Sequence, residues 1–283
     1  MNLTDLSCVR DIMQRHGIAP QKRYGQNFLI NPTVVARIAD TCADREAGVI
    51  EIGPGIGTLT RELSPRFRKV VALEIDTSLI PVLGETLGDL DNVKVINADA
   101  MKTDLAALVN EEFDGMPVYV CANLPYYITS PIVMSLLESG GIFEAVTVMI
   151  QKEVADRFCA EAGSADYGAI TLAVNYYSEV EKCFNVAPGN FMPPPKVTSS
   201  VIRMNIRKEP PVSVRDSENM FRIIKYAFAC RRKTLVNALC TSSPKCGKEE
   251  VIRILEKLGY DPNIRGERLA LSDYARISDE LTV

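Results

Sequence analysis

Asn123-Leu124-Pro125-Tyr126 follows directly on the apolar run PVYVCA, and these four residues suit chemistry on an aromatic amine such as the exocyclic N6 of adenine. The lone pair of that nitrogen is delocalised into the ring, which makes it a poor nucleophile. The Asn123 side-chain carbonyl and the Leu124 main-chain carbonyl can each accept one N6 hydrogen, favouring a pyramidal nitrogen aimed at an electrophile. Pro125 stiffens the turn, and Tyr126 offers a face on which an extruded base can stack. Phe191, in the segment Phe-Met-Pro-Pro-Pro-Lys-Val, can close on the other face. The plainer alternatives are an ordinary Asn-x-Pro-aromatic turn and, for Phe191, a packing residue framed by prolines.

A second constellation suits a nucleoside-type cofactor. Glu51-Ile52-Gly53-Pro54-Gly55-Ile56-Gly57 lies between an apolar strand and a helix. Glycines there let the backbone turn sharply and approach a ligand with no side chain in the way. Glu74 ends the next strand, where a carboxylate can accept both hydroxyls of a ribose. Asp99, in NADAMK after the third strand, can accept from an adenine amino group. A tight turn, a solvated carboxylate and an ordinary turn aspartate would look similar one at a time; their common register favours a site. The turn contains Pro54 and has the E-x-G-x-G-x-G form associated with methyltransferases. S-adenosylmethionine carries no pyrophosphate, so the amide-rich helix start of a phosphate loop is less needed. The expected cofactor is therefore S-adenosyl-L-methionine, with S-adenosylhomocysteine as product. Displacement at a sulfonium carbon needs alignment more than acid or base catalysis, which suits a chain whose single histidine is His16.

The elements that must position these residues alternate. GVIEIG, KVVALEI, NVKVINA, PVYVCANL and AVTVMIQ read as short buried strands, with helices such as TLTREL and TSLIPVLGETLG between them. That rhythm predicts an α/β fold, a Rossmann-like domain with a mostly parallel sheet covered on both faces. Residues 1–16 read as an amphipathic helix, and Asn31-Pro32 as a capped helix start. Tyr167–Tyr177 reads as a helix, and KCFNVA and SSVIRMNI as antiparallel strands. The prolines of FMPPPK cannot join a central strand. Beyond the linker KEPPVSV the pattern is helical, over ENMFRIIKYAFACRRKTLVNALC, EEVIRILEKLGY and SDYARISDELTV. The predicted division is a methyltransferase domain with an N-terminal arm over 1–205 and a small all-helical domain over 206–283.

Composition excludes several classes. No apolar stretch approaches the roughly 18 residues of a membrane span, and the N-terminus lacks the apolar core of a secretory signal, so a cytoplasmic protein is expected. The eight cysteines form no C-x-x-C pair; they read as small buried hydrophobes, and no metal site is expected. The net charge of -4 hides an asymmetry. Residues 1–200 hold 16 basic and 25 acidic side chains, and residues 201–283 hold 16 and 11. The basic excess points to a polyanionic partner for the C-terminal part. Arg231-Arg232-Lys233 and Lys22-Arg23 are candidate phosphate contacts, although charge runs on helices are usually solvated faces.

These motifs together resemble the small-subunit ribosomal RNA adenine dimethyltransferases, the KsgA type. The resemblance runs over nearly the whole chain: Gly25-Gln26-Asn27-Phe28-Leu29, EIGPGIGTLT, the strand end at Glu74, NLPY, the segment Phe191 to Val197, and FACRRKTLVNAL from Phe228. It implies transfer of two methyl groups to each of two adjacent adenosines in a hairpin near the 3′ end of small-subunit ribosomal RNA. It also implies cofactor contacts from Asn27, Leu29, Gly53, Glu74, Asp99 and Asn123, and base handling by Asn123, Tyr126 and Phe191. GQNFL, otherwise a loop with Phe28 and Leu29 tucked into the core, becomes by this likeness a lid over the cofactor. NADAMK departs slightly from the family pattern, with Asn97 near the contact residue. The implied partner is small-subunit ribosomal RNA within an assembling small ribosomal subunit, and nothing in the sequence calls for more than a monomer. Three alternatives stand beside this reading. One is a related enzyme that methylates large-subunit RNA and confers macrolide resistance, disfavoured by NLPY, FACRRKTLVNAL and RGERLALSD. Another is a non-catalytic ribosome-assembly or transcription factor that keeps the fold as an RNA-binding module. The third is a nicotinamide-dependent oxidoreductase, in which NLPY has no role.

Overall fold

The structure is a computed structural model that describes residues 1–21, 24–243 and 246–283. Apolar, β-branched runs become strands and the glycine-punctuated segments between them become turns and helices. The strands are β1 (Phe28–Leu29), β2 (Asp44–Ile52), β3 (Phe67–Glu74), β4 (Val93–Asn97), β5 (Val118–Asn123), β6 (Ala145–Gln151), β7 (Ser178–Val186), β8 (Phe191–Met192) and β9 (Ser199–Ile206). Seven form one sheet in the order β4-β3-β2-β5-β6-β9-β7. Pairing is parallel from β4 through β6, and β9 runs antiparallel to β6. The expected α/β, Rossmann-like architecture is present. The carboxyl ends of β4, β3, β2 and β5 consequently share one edge, where ligands of open α/β sheets bind.

Among the helices, α1 (Leu6–Arg15) and α2 (Pro32–Cys42) precede the sheet. Asn31 caps α2 as expected, its Oδ1 accepting from the Thr33 and Val34 N–H groups. Helices α3 (Thr58–Leu63), α4 (Ile80–Leu87), α5 (Leu105–Glu112) and α6 (Thr129–Leu137) alternate with strands, and α7 (Lys152–Phe158) and α8 (Ala169–Tyr177) follow β6. Behind β2, Phe113 is fully buried, and a Cβ on Gly48 would sit 2.1 Å from its ring. Gly48→Ala is therefore expected to destabilise the fold by about 1–3 kcal/mol or more through overpacking. Thermal unfolding should show a midpoint lower by about 2–4 °C for each kcal/mol; an unchanged midpoint would refute the packing argument.

The chain divides into two units, Met1–Ala155 with Glu179–Ile206, and Asp156–Ser178 with Arg207–Val283. The segment 156–178, placed by sequence with the first part, thus groups with the second. That second unit holds α8 and the helices α9 (Ser217–Ala229), α10 (Leu235–Ser242), α11 (Lys248–Lys257) and α12 (Leu271–Glu280). Its core joins Tyr167 and Leu172 to Met220, Ile224, Leu239 and Tyr274. Buried Asn219 donates to Ser278 Oγ at 2.9 Å and to the Leu281 carbonyl at 2.7 Å, so its amide is satisfied where α9 meets the end of the chain. The helical reading of 218–240 as one stretch is corrected: α9 ends at Ala229, and Thr234 starts α10 by capping the Asn237 N–H. Among the described residues no helix is long and apolar enough to cross a membrane.

Candidate active site

Three glycines make the turn after β2, with Gly53, Gly55 and Gly57 at φ of 70°, 61° and 89°. A Cβ on Gly55 would also meet the Phe28 ring at 3.1 Å, so this backbone position is closed to other residues by both conformation and space. Glu74, at the end of β3, is 4% exposed and is not the solvated carboxylate of the plainer reading. Its Oε2 accepts from the Gly55 N–H at 3.2 Å and its Oε1 from the Asp76 N–H at 2.8 Å. Burial raises its pKa, against the pull of those backbone donors. The glycine turn and the carboxylate are thereby locked to each other.

At the end of β5, the Leu124 N–H donates to the Met149 carbonyl at 3.1 Å, holding the NLPY turn to β6. Asn123 Nδ2 donates to the Asn27 carbonyl at 3.1 Å, which fixes the amide orientation and leaves Oδ1 as a free acceptor on a residue that lines the cavity. The Tyr126 hydroxyl and Ser199 Oγ lie 2.7 Å apart, and this tie to the start of β9 orients the ring. Phe191 is buried in β8, opposite Leu29 of β1 in a separate two-stranded sheet. Asn27, Leu29, Gly53, Glu74, Asn123, Leu124, Tyr126 and Phe191 all line one cavity.

Asp99 does not join that lining. It lies in the loop after β4, and its Oδ1 accepts from the Met101 N–H at 3.0 Å, the local bond of a turn aspartate. Asn97 beside it donates to the Glu74 carbonyl at 2.7 Å, tying the β4 end to the β3 end. His16 pairs with Glu85 at 2.7 Å, outside the cavity lining. Within the basic triplet, Arg231 is committed to Glu267 at 3.1 Å and to the Ala165 carbonyl at 2.7 Å. Lys233 donates to Thr241 Oγ1 at 3.1 Å. Arg232 alone is exposed with no partner among the described residues. Lys22-Arg23 lies outside the described residues.

Sequence reasoning missed two features. Glu51, named only as part of the motif, is buried and lines the cavity. Asp76, also buried, holds the N-terminal arm: the Gln21 and Gln26 side-chain amides donate to its Oδ2 at 3.0 and 2.9 Å. Tyr24, Gly25 and Gln26 of that arm line the cavity beside Asn27. The nearest signal was the short spacing from Glu74 to a second acid. Each hydrogen bond to a charged group contributes about 1.5–3 kcal/mol. Asp76→Ala is thus expected to speed amide exchange across residues 24–29 about tenfold or more, read by hydrogen-exchange mass spectrometry; unchanged exchange would show that Asp76 does not hold the arm.

Comparison with known proteins places this geometry. The ribosomal RNA adenine dimethylase family profile matches residues 19–281. The chain is 46% identical to the ribosomal RNA small subunit methyltransferase A of Geobacillus thermodenitrificans, over 96% of this chain and 94% of the relative. It is 45% identical to the protein of that name from Streptococcus thermophilus, over 99% and 98%. Among solved structures it resembles a dimethyladenosine transferase from Plasmodium falciparum, with TM-score 0.74, 26% identity and coverage of 88% and 95%. It also resembles the 23S rRNA methyltransferase ErmE, with TM-score 0.68, 29% identity and coverage of 90% and 99%.

Proposed function

The chain belongs to the ribosomal RNA adenine dimethylase family, and from that premise we propose that it dimethylates N6 of two adjacent adenosines in a hairpin near the 3′ end of small-subunit ribosomal RNA. The observation that carries the site assignment is the Asn123 amide, whose hydrogen bond to Asn27 leaves Oδ1 as an acceptor in the cavity. Full-length likeness to small-subunit enzymes supports the choice of RNA.

The cavity fits S-adenosyl-L-methionine. Among the described residues its lining holds two carboxylates, Glu51 and Glu74, and no basic side chain. That donor set suits a cationic ligand without phosphate and argues against a dinucleotide. Glu74 would accept the ribose hydroxyls, and Gly53 and Gly55 leave room at the turn. Asn27 and Leu29 would cover the ligand from the arm, and Asp99 would take the adenine amine from the neighbouring loop. When bound, the cofactor supplies an electrophilic methyl group on a sulfonium.

The protein's own part is orientation. Asn123 Oδ1 and the Leu124 carbonyl accept the two N6 hydrogens and turn the nitrogen lone pair out of the ring system. Tyr126 stacks on the base and Phe191 walls its far side, which holds the nucleophile in line. Release of the amine proton to water follows transfer, so no side-chain base is needed. The protein acts as a monomer in the cytoplasm on an assembling small subunit. Arg232 is a phosphate contact, with salt-dependent affinity.

The likeness to ErmE keeps a large-subunit substrate as the second reading. Incubation with labelled cofactor and, separately, under-methylated small subunits and unmodified large-subunit RNA distinguishes the two. Label confined to the small-subunit RNA is expected; label in the large-subunit RNA alone would overturn the assignment.

A further inference from the structure

Glu51 occupies an unusual position for a carboxyl group. It lies one residue from the end of β2, in register with Ala72 of β3 and Cys121 of β5. It is 1% exposed and lines the cavity, yet its Oε2 has no hydrogen-bond partner among the described residues. Thr58, also in the lining, has an unpartnered hydroxyl. Buried polar groups are normally satisfied within the protein. Two orphaned oxygens on residues that line a ligand cavity therefore form a site that donors from the ligand can complete.

Among the described residues that line the cavity there is no cation to complete it. Glu74 on β3 is the nearby charge, and the Cys121 thiol on β5 is held neutral by its neighbour Cys42 and by burial. A primary ammonium brings three N–H donors and no acceptor, which matches the orphaned oxygens in kind. Across the edge, Asp99 follows β4, Glu74 ends β3 and Asn123 ends β5. Adenine, ribose and the acceptor base account for those three strand ends, which leaves the amino-acid end of the cofactor for β2.

Resting on the reading of this cavity as the cofactor site, we propose that Glu51 is a proton-linked receptor for the cofactor's ammonium group. The carboxyl holds a proton while no cofactor is bound and releases it to solvent when the ammonium arrives. One proton leaves the protein, and the buried carboxylate is neutralised by the ligand instead.

Burial pushes the Glu51 carboxyl up to about 8, with the Glu74 charge adding to it and the Thr60 hydroxyl opposing. A bound ammonium lowers it again. Below about pH 8 binding must therefore expel a proton, and affinity falls up to about tenfold for each unit of pH. Above that value Glu51 is already ionised, and this dependence vanishes.

The test is calorimetric titration of S-adenosylhomocysteine into the intact protein at pH 7, in buffers of different ionisation enthalpy. Close to one proton released per ligand is expected. None is expected with 5′-methylthioadenosine, which lacks the amino-acid end. Glu51→Gln should bind S-adenosylhomocysteine with no proton release and a flat pH profile between 6 and 8. Binding without proton release by the wild-type protein would overturn the proposal. So would equal release with 5′-methylthioadenosine, or release that persists in Glu51→Gln. The wild-type measurements stand even where Glu51→Gln does not fold. Failure of the wild-type protein to bind S-adenosylhomocysteine at all would instead overturn the cofactor reading itself, and the proposal with it.

Discussion

Asn123→Ala is expected to lower single-turnover methyl transfer by about a hundredfold or more while the protein stays folded. Asn123 is partly exposed, so truncation creates no core cavity. What is lost is alignment. With Nδ2 held by the Asn27 carbonyl, Oδ1 is the side-chain acceptor that, in the proposed reaction, would turn N6 toward the methyl group. Misplacement of a nucleophile by about 1 Å costs about a hundredfold in rate. Asn123→Asp should fail nearly as badly, because a carboxylate oxygen would face the Asn27 carbonyl where a donor is required. Transfer within about threefold of the wild-type rate in either variant would remove Asn123 from the reaction.

The second large effect belongs to Glu74. Glu74→Ala should weaken S-adenosylhomocysteine binding about a hundredfold or more. Two hydrogen bonds from ribose hydroxyls to a carboxylate contribute at least about 3 kcal/mol together, and each 1.4 kcal/mol is about tenfold in affinity. The same carboxylate anchors the Gly55 and Asp76 N–H groups, so its loss also loosens the glycine turn. Glu74→Gln is the informative control. An amide has one acceptor oxygen, whereas both Glu74 oxygens accept from the backbone, so one N–H would face an NH₂ group. Intermediate weakening is expected there, and a change of less than about threefold in Glu74→Ala would contradict the ribose assignment.

The parts of this site that were legible in the sequence are those set by local rules. Positive-φ glycines follow a buried strand, an Asn-Pro pair opens α2, and the NLPY turn follows β5, all within a few residues of the feature that announces them. What depends on distant partners was not legible. Strands β1 and β8 are two residues each and lie far apart in the chain, so neither shows a period. Asp76 holds the arm through amides some 50 residues earlier. Arg231 looked like a free cation and is a staple between loops of the helical unit. The break after Ala229 was hidden because apolar residues continue through α9 and α10 with helical spacing. Glu51 and Glu74 stand at strand ends, where an acid usually meets water; only the packing of neighbouring strands and the arm makes them buried.

The nucleoside made distinguishes an adenine dimethyltransferase from a binding protein on the same fold. Purified protein, labelled S-adenosylmethionine and under-methylated small ribosomal subunits would be incubated, and the RNA digested and resolved by mass. Label in N6,N6-dimethyladenosine is expected with wild-type protein, and its loss with Asn123→Ala. No labelled nucleoside, from wild-type protein that still binds the cofactor, would contradict the enzymatic reading and favour a non-catalytic role in subunit assembly.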